Sequence, residues 1–234
     1  MQRLERDATL SRADRLAALG ARLDLTQLDR VEGEPLEPVP AALRQDIRDR
    51  VARDDREIRD GYERQAVVTE GASLLAQAGL MAESDALLEA NLAKSHSPYY
   101  LMSQLAGNAK KRGDATAALG WYARAYDASR GPATRLQWGA SYLGALVDLA
   151  PDDAARIERV ATRLFGEAAA QPNAFYERSA RSLQRAGERL ARWNADGRHA
   201  AELARLRRQL DAVCGKLPAA DPQRATCESV LPGA

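Results

Sequence analysis

Two cysteines, Cys214 and Cys227, come nearest to chemistry by type and spacing. Twelve residues separate them, so a bond would close one small Pro-punctuated loop and stabilise the fold by about 3 kcal/mol in the chain-entropy model. Pairing of this kind belongs to an oxidising compartment, and the alternative is two unrelated thiols in a cytosolic protein. The spacing differs from the Cys-x2-Cys of redox motifs, and two cysteines with distant histidines make no zinc set. His96 and His199 have no carboxylate at triad or metal-ligand spacing; they read as a loop histidine before Pro98 and a helix-start histidine. Neither a Gly-x-Ser-x-Gly elbow nor a Gly-rich phosphate loop occurs. Asp54-Asp55 is expected on a solvated face, and Asp152-Asp153 follows Pro151 at a helix start, where the dipole favours negative charge. No catalytic constellation, cofactor or metal is therefore expected.

The elements that must position any site are helices. Alanine and leucine dominate, aromatics are only 5%, and alternating Val/Ile/Thr runs are almost absent, which favours an all-α chain. The 34 basic and 33 acidic side chains nearly cancel, which argues against a general electrostatic grip on nucleic acid. No run of about 18 apolar residues could span a membrane. Met1 to Asp7 is charged from the outset and has no apolar signal core. Either the protein is cytosolic, or the chain is cut from a longer one.

An interval repeats in the middle of the chain. Val68-x2-Gly71-Ala72-x2-Leu75, Met102-x2-Leu105-Ala106-x2-Ala109 and Leu136-x2-Gly139-Ala140-x2-Leu143 superimpose, with Ala72, Ala106 and Ala140 spaced 34 residues apart. Gly79 and Gly113, and Pro98 and Pro132, repeat at the same interval. In the second helices Ala118, Tyr122 and Ala125 carry a small-large-small pattern, matched more weakly by Ser84, Leu88 and Asn91. This resembles the tetratricopeptide (TPR) repeat, in which two amphipathic helices cross at small residues. The resemblance implies antiparallel helix pairs in a short right-handed superhelix, with the first helices lining a concave face. By register that face carries Tyr100, Ser103, Gly107, Lys110 and Lys111 from one repeat, and Thr134, Gln137, Trp138 and Ser141 from the next. It is polar with a little positive charge, suited to an extended polypeptide, and lacks the lysine/asparagine clamp of some TPR domains. Tyr99-Tyr100 and Trp138 are the aromatic candidates for binding energy, with inter-repeat packing as the competing role.

Taken in order, residues 1–40 are expected to form one or two helices, with Leu4, Ala8, Leu16, Leu19 and Leu23 near helical spacing, followed by a Pro/Gly-rich linker. Residues 41–214 form the helical domain. It opens on a charged helix with a Leu43, Ile47, Val51 and Ile58 stripe. Pairs follow near 62–78 and 81–94, 99–112 and 115–129, and 133–149 and 152–169. The last of these helices points Ile157, Val160 and Leu164 inward, without the small-x3-aromatic pattern. A longer pair near 173–195 and 198–214 has Tyr176, Ala180 and Leu183 echoing the first-helix core. Its second helix has an apolar stripe of Leu203, Leu206, Leu210 and Val213 opposite Arg205, Arg207 and Arg208, the polar outer face a terminal repeat needs. Residues 215–234 are expected as a loop pinned by Cys214 and Cys227.

A second resemblance rests on Tyr62 to Val67, Ser97-Pro98-Tyr99-Tyr100, Gly131 to Gly139, Phe175-Tyr176-Glu177-Arg178 and the closing cysteines. These look like the helical region that follows the thioredoxin domain in some proteobacterial thioredoxin-family proteins. The Cys-x2-Cys domain is not in this chain. What the resemblance implies is a periplasmic setting and a supporting role that binds a client or partner polypeptide beside a redox domain. The competing expectations are a helical enzyme or ligand-binding domain with a site at the superhelix mouth, which would gather His96, Tyr99 and a carboxylate, and a cytosolic TPR-like regulator. Nucleic-acid binding by the arginine-rich last helices ranks behind these, because acidic residues are interleaved there.

Overall fold

A computed structural model describes residues 1–28 and 38–232. Most of the expected linker, 29–37, lies outside the described residues. The described residues form twelve α-helices and no strand. They divide into two compact units, Met1–Gly113 and Asp114–Ala234.

The first unit holds α1 (Gln2–Glu5), α2 (Arg12–Leu25), α3 (Ala41–Glu57), α4 (Gly61–Gln77), α5 (Met81–Asn91), a 3-10 turn at Leu92–Lys94, and α6 (Pro98–Lys111). Ser11 starts α2 by accepting the Asp14 amide, and Asp60 starts α4 by accepting those of Tyr62 and Glu63. Each such cap satisfies backbone donors that a helix start leaves open. Leu16, Leu19 and Leu23 of α2 meet Leu43, Ile47 and Val51 of α3 and Val67, Leu74 and Leu75 of α4 in one core. Each of these side chains stabilises the unit by about 1.5–3 kcal/mol relative to its exposed state. Leu4 and Ala8 do not join this core: both are exposed, and the helix is interrupted between α1 and α2.

The repeat glycine Gly79 ends the first helix of its pair at φ 78°, where a side chain would be strained, and Gly113 does the same at φ 79°. With only three residues between α4 and α5, the two packed helices must run antiparallel. Ser84 of α5 sits over Ala72 and donates to its carbonyl oxygen at 2.8 Å. That small-on-small crossing is the TPR-like feature, and Ala72 is 1% exposed.

Asp54 corrects the expectation of a solvated acidic pair. Its side chain is 4% exposed, with Arg50 at 3.0 Å and Arg12 at 3.7 Å. Asp55 accepts from Arg64 at 2.7 Å and from Asn91 at 3.1 Å, and Arg64 also donates to the carbonyls of Asp55 and Ile58. Asp54 is neutralised by Arg50 from its own helix and Arg12 from α2, and half-buried Asp55 by Arg64 from α4.

The second unit holds α7 (Ala115–Ala128), α8 (Pro132–Leu149), α9 (Ala154–Ala169), α10 (Glu177–Trp193), α11 (Ala200–Cys214) and α12 (Pro222–Glu228). Here α8 packs against α7, α9 and α10, while α11 packs on α9. A Cβ on Gly139 would lie 2.8 Å from Tyr126 and 2.9 Å from Leu164, so α7 and α9 both press on α8 at that residue. The repeat register shifts accordingly: Ala140 is only half-buried where Ala72 and Ala106 are buried. In α9 the inward set is Ile157, Ala161, Leu164, Phe165 and Ala168, and Val160 is half-buried instead of inward. In α10, Ala180 and Leu183 are buried as expected, but Tyr176 precedes the helix and is 40% exposed. Val213 is half-buried.

The expected closing loop contains a helix. Asp221 caps α12 by accepting the Gln223 amide, and Pro222 occupies the first turn, where its missing N–H costs nothing. α12 packs on α11, and Val230 and Leu231 beyond it are buried. Arg207, expected on a solvated outer face, donates instead to the carbonyls of Leu231 and Pro232.

Candidate functional site

The residues expected on a binding face divide between the two units. In the first, α6 starts at Pro98, and Tyr100, Ser103, Gly107 and Lys110 recur at three- and four-residue spacing, which sets them on one face. Tyr100 is 38% exposed, Lys110 and Lys111 are exposed, and Ser103 and Gly107 are half-buried. A Cβ added to Gly107 would meet nothing within 4 Å, so the helix backbone is bare between Ser103 and Lys110. The opposite face is tied inward: Gln104 donates to the Thr69 carbonyl at 2.9 Å, and Asn108 donates to Ser84 at 2.9 Å and Asp85 at 2.7 Å. The tyrosine pair splits. Tyr99 is buried and donates to Ser97 Oγ, while its neighbour reaches the surface with the two rings 5.0 Å apart.

In the second unit, Thr134 and Gln137 are half-buried on α8, and Ser141 is exposed and donates to the Gln137 carbonyl at 3.0 Å. Trp138 is 7% exposed, so its ring serves packing, not an open contact surface.

The histidines differ in setting, and His199 lines a cleft of the second unit together with Asp148, Asp152 and Asp196. His96 lies on the surface with its ring 4.8 Å from that of Tyr62, and Tyr99 is turned into the core beside it in sequence. His199 stacks flat on Trp193, centroids 3.7 Å apart, and Trp193 donates to the Pro151 carbonyl.

A charge cluster that sequence reasoning missed lies between α7, α8 and α9. The Tyr126 ring lies between two guanidinium groups, Arg163 at 4.1 Å and Arg135 at 5.2 Å. Glu167 accepts from both arginines, bidentately from Arg135, which also donates to the Ser129 carbonyl at 3.0 Å. Burial, then the Glu167 charge, push the Tyr126 phenol well above its ordinary value, so it stays protonated at neutral pH. Burial alone would raise Glu167, but the hydrogen bonds and charge of Arg135 outweigh it and hold the carboxyl below its usual range. The arrangement clamps three helices together and offers no group poised for proton transfer near neutrality.

Cys214 at the end of α11 and Cys227 in α12 lie at disulfide distance, with their Cα atoms 5.6 Å apart. Two residues unmarked in the sequence reading complete this docking. Gln223 is 3% exposed, accepts the Phe175 amide at 3.2 Å and donates to the Pro172 carbonyl at 2.9 Å. Gly187 of α10 lies directly under the Val230 carbonyl. A glycine inside a run of strong helix formers costs about 1 kcal/mol, and that cost was the available signal.

No protein-family model and no curated protein matches the chain. Among solved structures it is similar to a putative kinesin light chain from Podosopora anserina with nearly identical TPR-like repeats. The two share 15% identity at a TM-score of 0.49, over 87% of this chain and 98% of that one. At that level the likeness carries no argument, and the repeat assignment rests on the helix pairs themselves.

Proposed function

We propose that this protein is a non-enzymatic interaction module that binds a partner polypeptide, with the outer stripe of α6 as part of its binding face. One observation carries this reading: Tyr100 and the lysines flank a bare patch of helix at Gly107, where a partner backbone or side chain can approach closely. Tandem helix pairs are a scaffold commonly used for protein recognition, and aromatic anchors beside small residues suit it.

The test is site-specific photocrosslinking in the source cells, from a benzoylphenylalanine placed at Ser103 or Gly107. Adducts of one discrete mass are expected, and they should disappear when Tyr100→Ala, Lys110→Glu and Lys111→Glu are combined in a protein of unchanged helicity. Equal crosslinking by that triple variant defeats the assignment.

We further propose an exported, oxidising setting and an accessory role beside a thiol-disulfide domain. The support is the cysteine pair at bonding distance together with the resemblance to thioredoxin-associated helical regions. Intact mass after alkylation at lysis tests it: a species with Cys214 and Cys227 unmodified is expected, and doubly alkylated protein counts against it.

A further inference from the structure

Five arginines, Arg6, Arg15, Arg22, Arg50 and Arg53, line one cleft of about 340 Å³ where α1, α2 and α3 meet in the first unit. Three carboxylates share the lining, those of Glu5, Asp46 and Asp49. Arginine keeps its charge at any physiological pH and offers a planar fork of donors, so a surplus of arginine in a cleft calls for an oxyanion.

Two of the five are engaged inside the fold. Arg22 holds the Glu5 and Asp46 carboxylates at 3.0 and 3.1 Å, and Arg50 holds Asp54 at 3.0 Å and the Glu5 carbonyl at 3.3 Å. Arg6 and Arg53 are exposed and make no ion pair with a described residue. Arg15 decides the matter. Its one hydrogen bond to a described residue goes to the Asp7 carbonyl at 3.4 Å, and its Nε is buried without any partner. The Asp7 carboxylate attracts it, but that group is bonded to Thr9, and Asp49 accepts from Gln45.

The cleft already holds an oxyanion of its own. The Glu5 side chain is 14% exposed; its Oε2 accepts from Arg22, while Oε1 is buried and unmet. A carboxylate fixed to this backbone therefore answers Arg22 and leaves Arg15 unanswered. It is also loosely held, because α1 is four residues long, buries no residue and has no side-chain cap. We infer that this cleft binds a phosphoryl group, held by Arg15, Arg22 and Arg53, and that the Glu5 carboxylate is the internal stand-in it displaces. A tetrahedral phosphoryl group has three terminal oxygens to set against three guanidinium groups. With Glu5 displaced, the lining holds five positive groups against two negative ones, an excess that a doubly charged phosphoryl offsets better than a single carboxylate does. The inference goes beyond the α6 reading and shares no residue with it, so either can fail alone.

The test is a titration of the full chain with inorganic phosphate at constant ionic strength, at about pH 7.5, where a phosphoryl group is mostly doubly charged. Binding is followed through the arginine Nε–H signals, and a saturable shift at Arg15 is expected. Arg15→Lys keeps the charge and loses the fork, and Arg53→Ala removes an exposed arginine; each should weaken phosphate by about tenfold. Glu5→Gln should bind it about tenfold more tightly, since the competitor is gone and Arg22 is released, whereas a purely structural Glu5 predicts equal or weaker binding. The backbone amide spectrum reports that each variant is folded, and Arg53→Ala and Glu5→Gln decide the question should Arg15→Lys unfold. N-acetyl-O-phosphoserine amide separates the sources: tighter binding than inorganic phosphate assigns the cleft to a phosphorylated side chain, equal or weaker binding assigns it to free phosphate, and both keep the phosphoryl group. The inference is overturned if the shifts do not saturate, if acetate binds as tightly as phosphate, if Arg15→Lys and Arg53→Ala both bind like the parent, or if Glu5→Gln fails to tighten binding.

Discussion

Replacing Gly187 by alanine should destabilise this protein even though alanine is the better helix former. The added Cβ would fall 1.7 Å from the Val230 carbonyl oxygen and 2.8 Å from its carbonyl carbon. Both are backbone atoms, so no rotamer change relieves the clash. The helix gains about 1 kcal/mol from the substitution. Against that, α10 and the segment around Val230 must separate by roughly 1.5 Å, and gaps of even 0.5–1 Å already forfeit a quarter to a half of each contact. The result approaches full undocking. Val230 and Leu231 are 2% and 4% exposed, and uncovering them costs about 1.5–3 kcal/mol each. Net destabilisation is then about 2–5 kcal/mol. Denaturant unfolding gives the free energy, and hydrogen exchange over 222–232 locates the loss. Gly166→Ala in α9 is the control, because its Cβ meets nothing within 4 Å and should gain about 0.5–1 kcal/mol. If Gly187→Ala is as stable as the parent and 222–232 keeps its protection, the docking geometry described here is wrong.

Ser84→Ala should cost about 1 kcal/mol in unfolding experiments, because it removes the bond to the Ala72 carbonyl and leaves the Asn108 amide with Asp85 alone. Asp54→Asn should cost about 1–3 kcal/mol, below the full penalty for breaking a buried pair, since Arg50 and Arg12 are 20% and 27% exposed and reach water; a thermal melt checks it. Glu167 gives a pH prediction. Its folded value lies below the ordinary carboxyl value of about 4.3, so its contribution is complete above that pH and is lost as pH falls through the folded value. Glu167→Gln should lower stability at pH 7 and flatten the acid limb of the stability curve below about pH 4.3; an unchanged limb would mean the Arg135 clamp does not form.

The repeat was legible because it depends on local events. Gly79 and Gly113 stop helices wherever a left-handed residue is needed, and Asp60 starts one wherever its carboxylate can reach the next turn. Those requirements involve neighbours in sequence, so a single sequence displays them. Asp54 was misread because an i,i+4 pair with Arg50 looks the same on a solvated face, while the α2 packing that buries it, with Arg12 42 positions away, leaves no mark beside it. Tyr100 and Trp138 were both candidates for the surface, and only packing separates an exposed ring from a buried one. For α12 the signals were present, an aspartate cap followed by proline, but so short a segment flanked by prolines resembles a loop when the partner helix is unknown.

The 172–176 turn is held by α12, and magnitudes decide whether the cysteine pair is a switch or a staple. Gln223 fixes the 172–176 turn through Phe175 and Pro172, and Tyr176 donates to Asp221 at 3.1 Å. The two Gln223 bonds contribute about 1 kcal/mol each, and burial of Val230 and Leu231 adds about 3–6 kcal/mol. A cross-link between the two cysteines, with a sequence separation of 13, would contribute about 3 kcal/mol, and it would act on the unfolded chain. Non-covalent docking therefore exceeds it, and reduction should not release α12. Dithiothreitol is expected to lower unfolding stability by about 3 kcal/mol while the Arg178 and Ser179 amide signals stay in place. Movement of those signals on reduction would reverse the ranking: the bond, not the packing around Gln223 and Gly187, would then be what holds the turn.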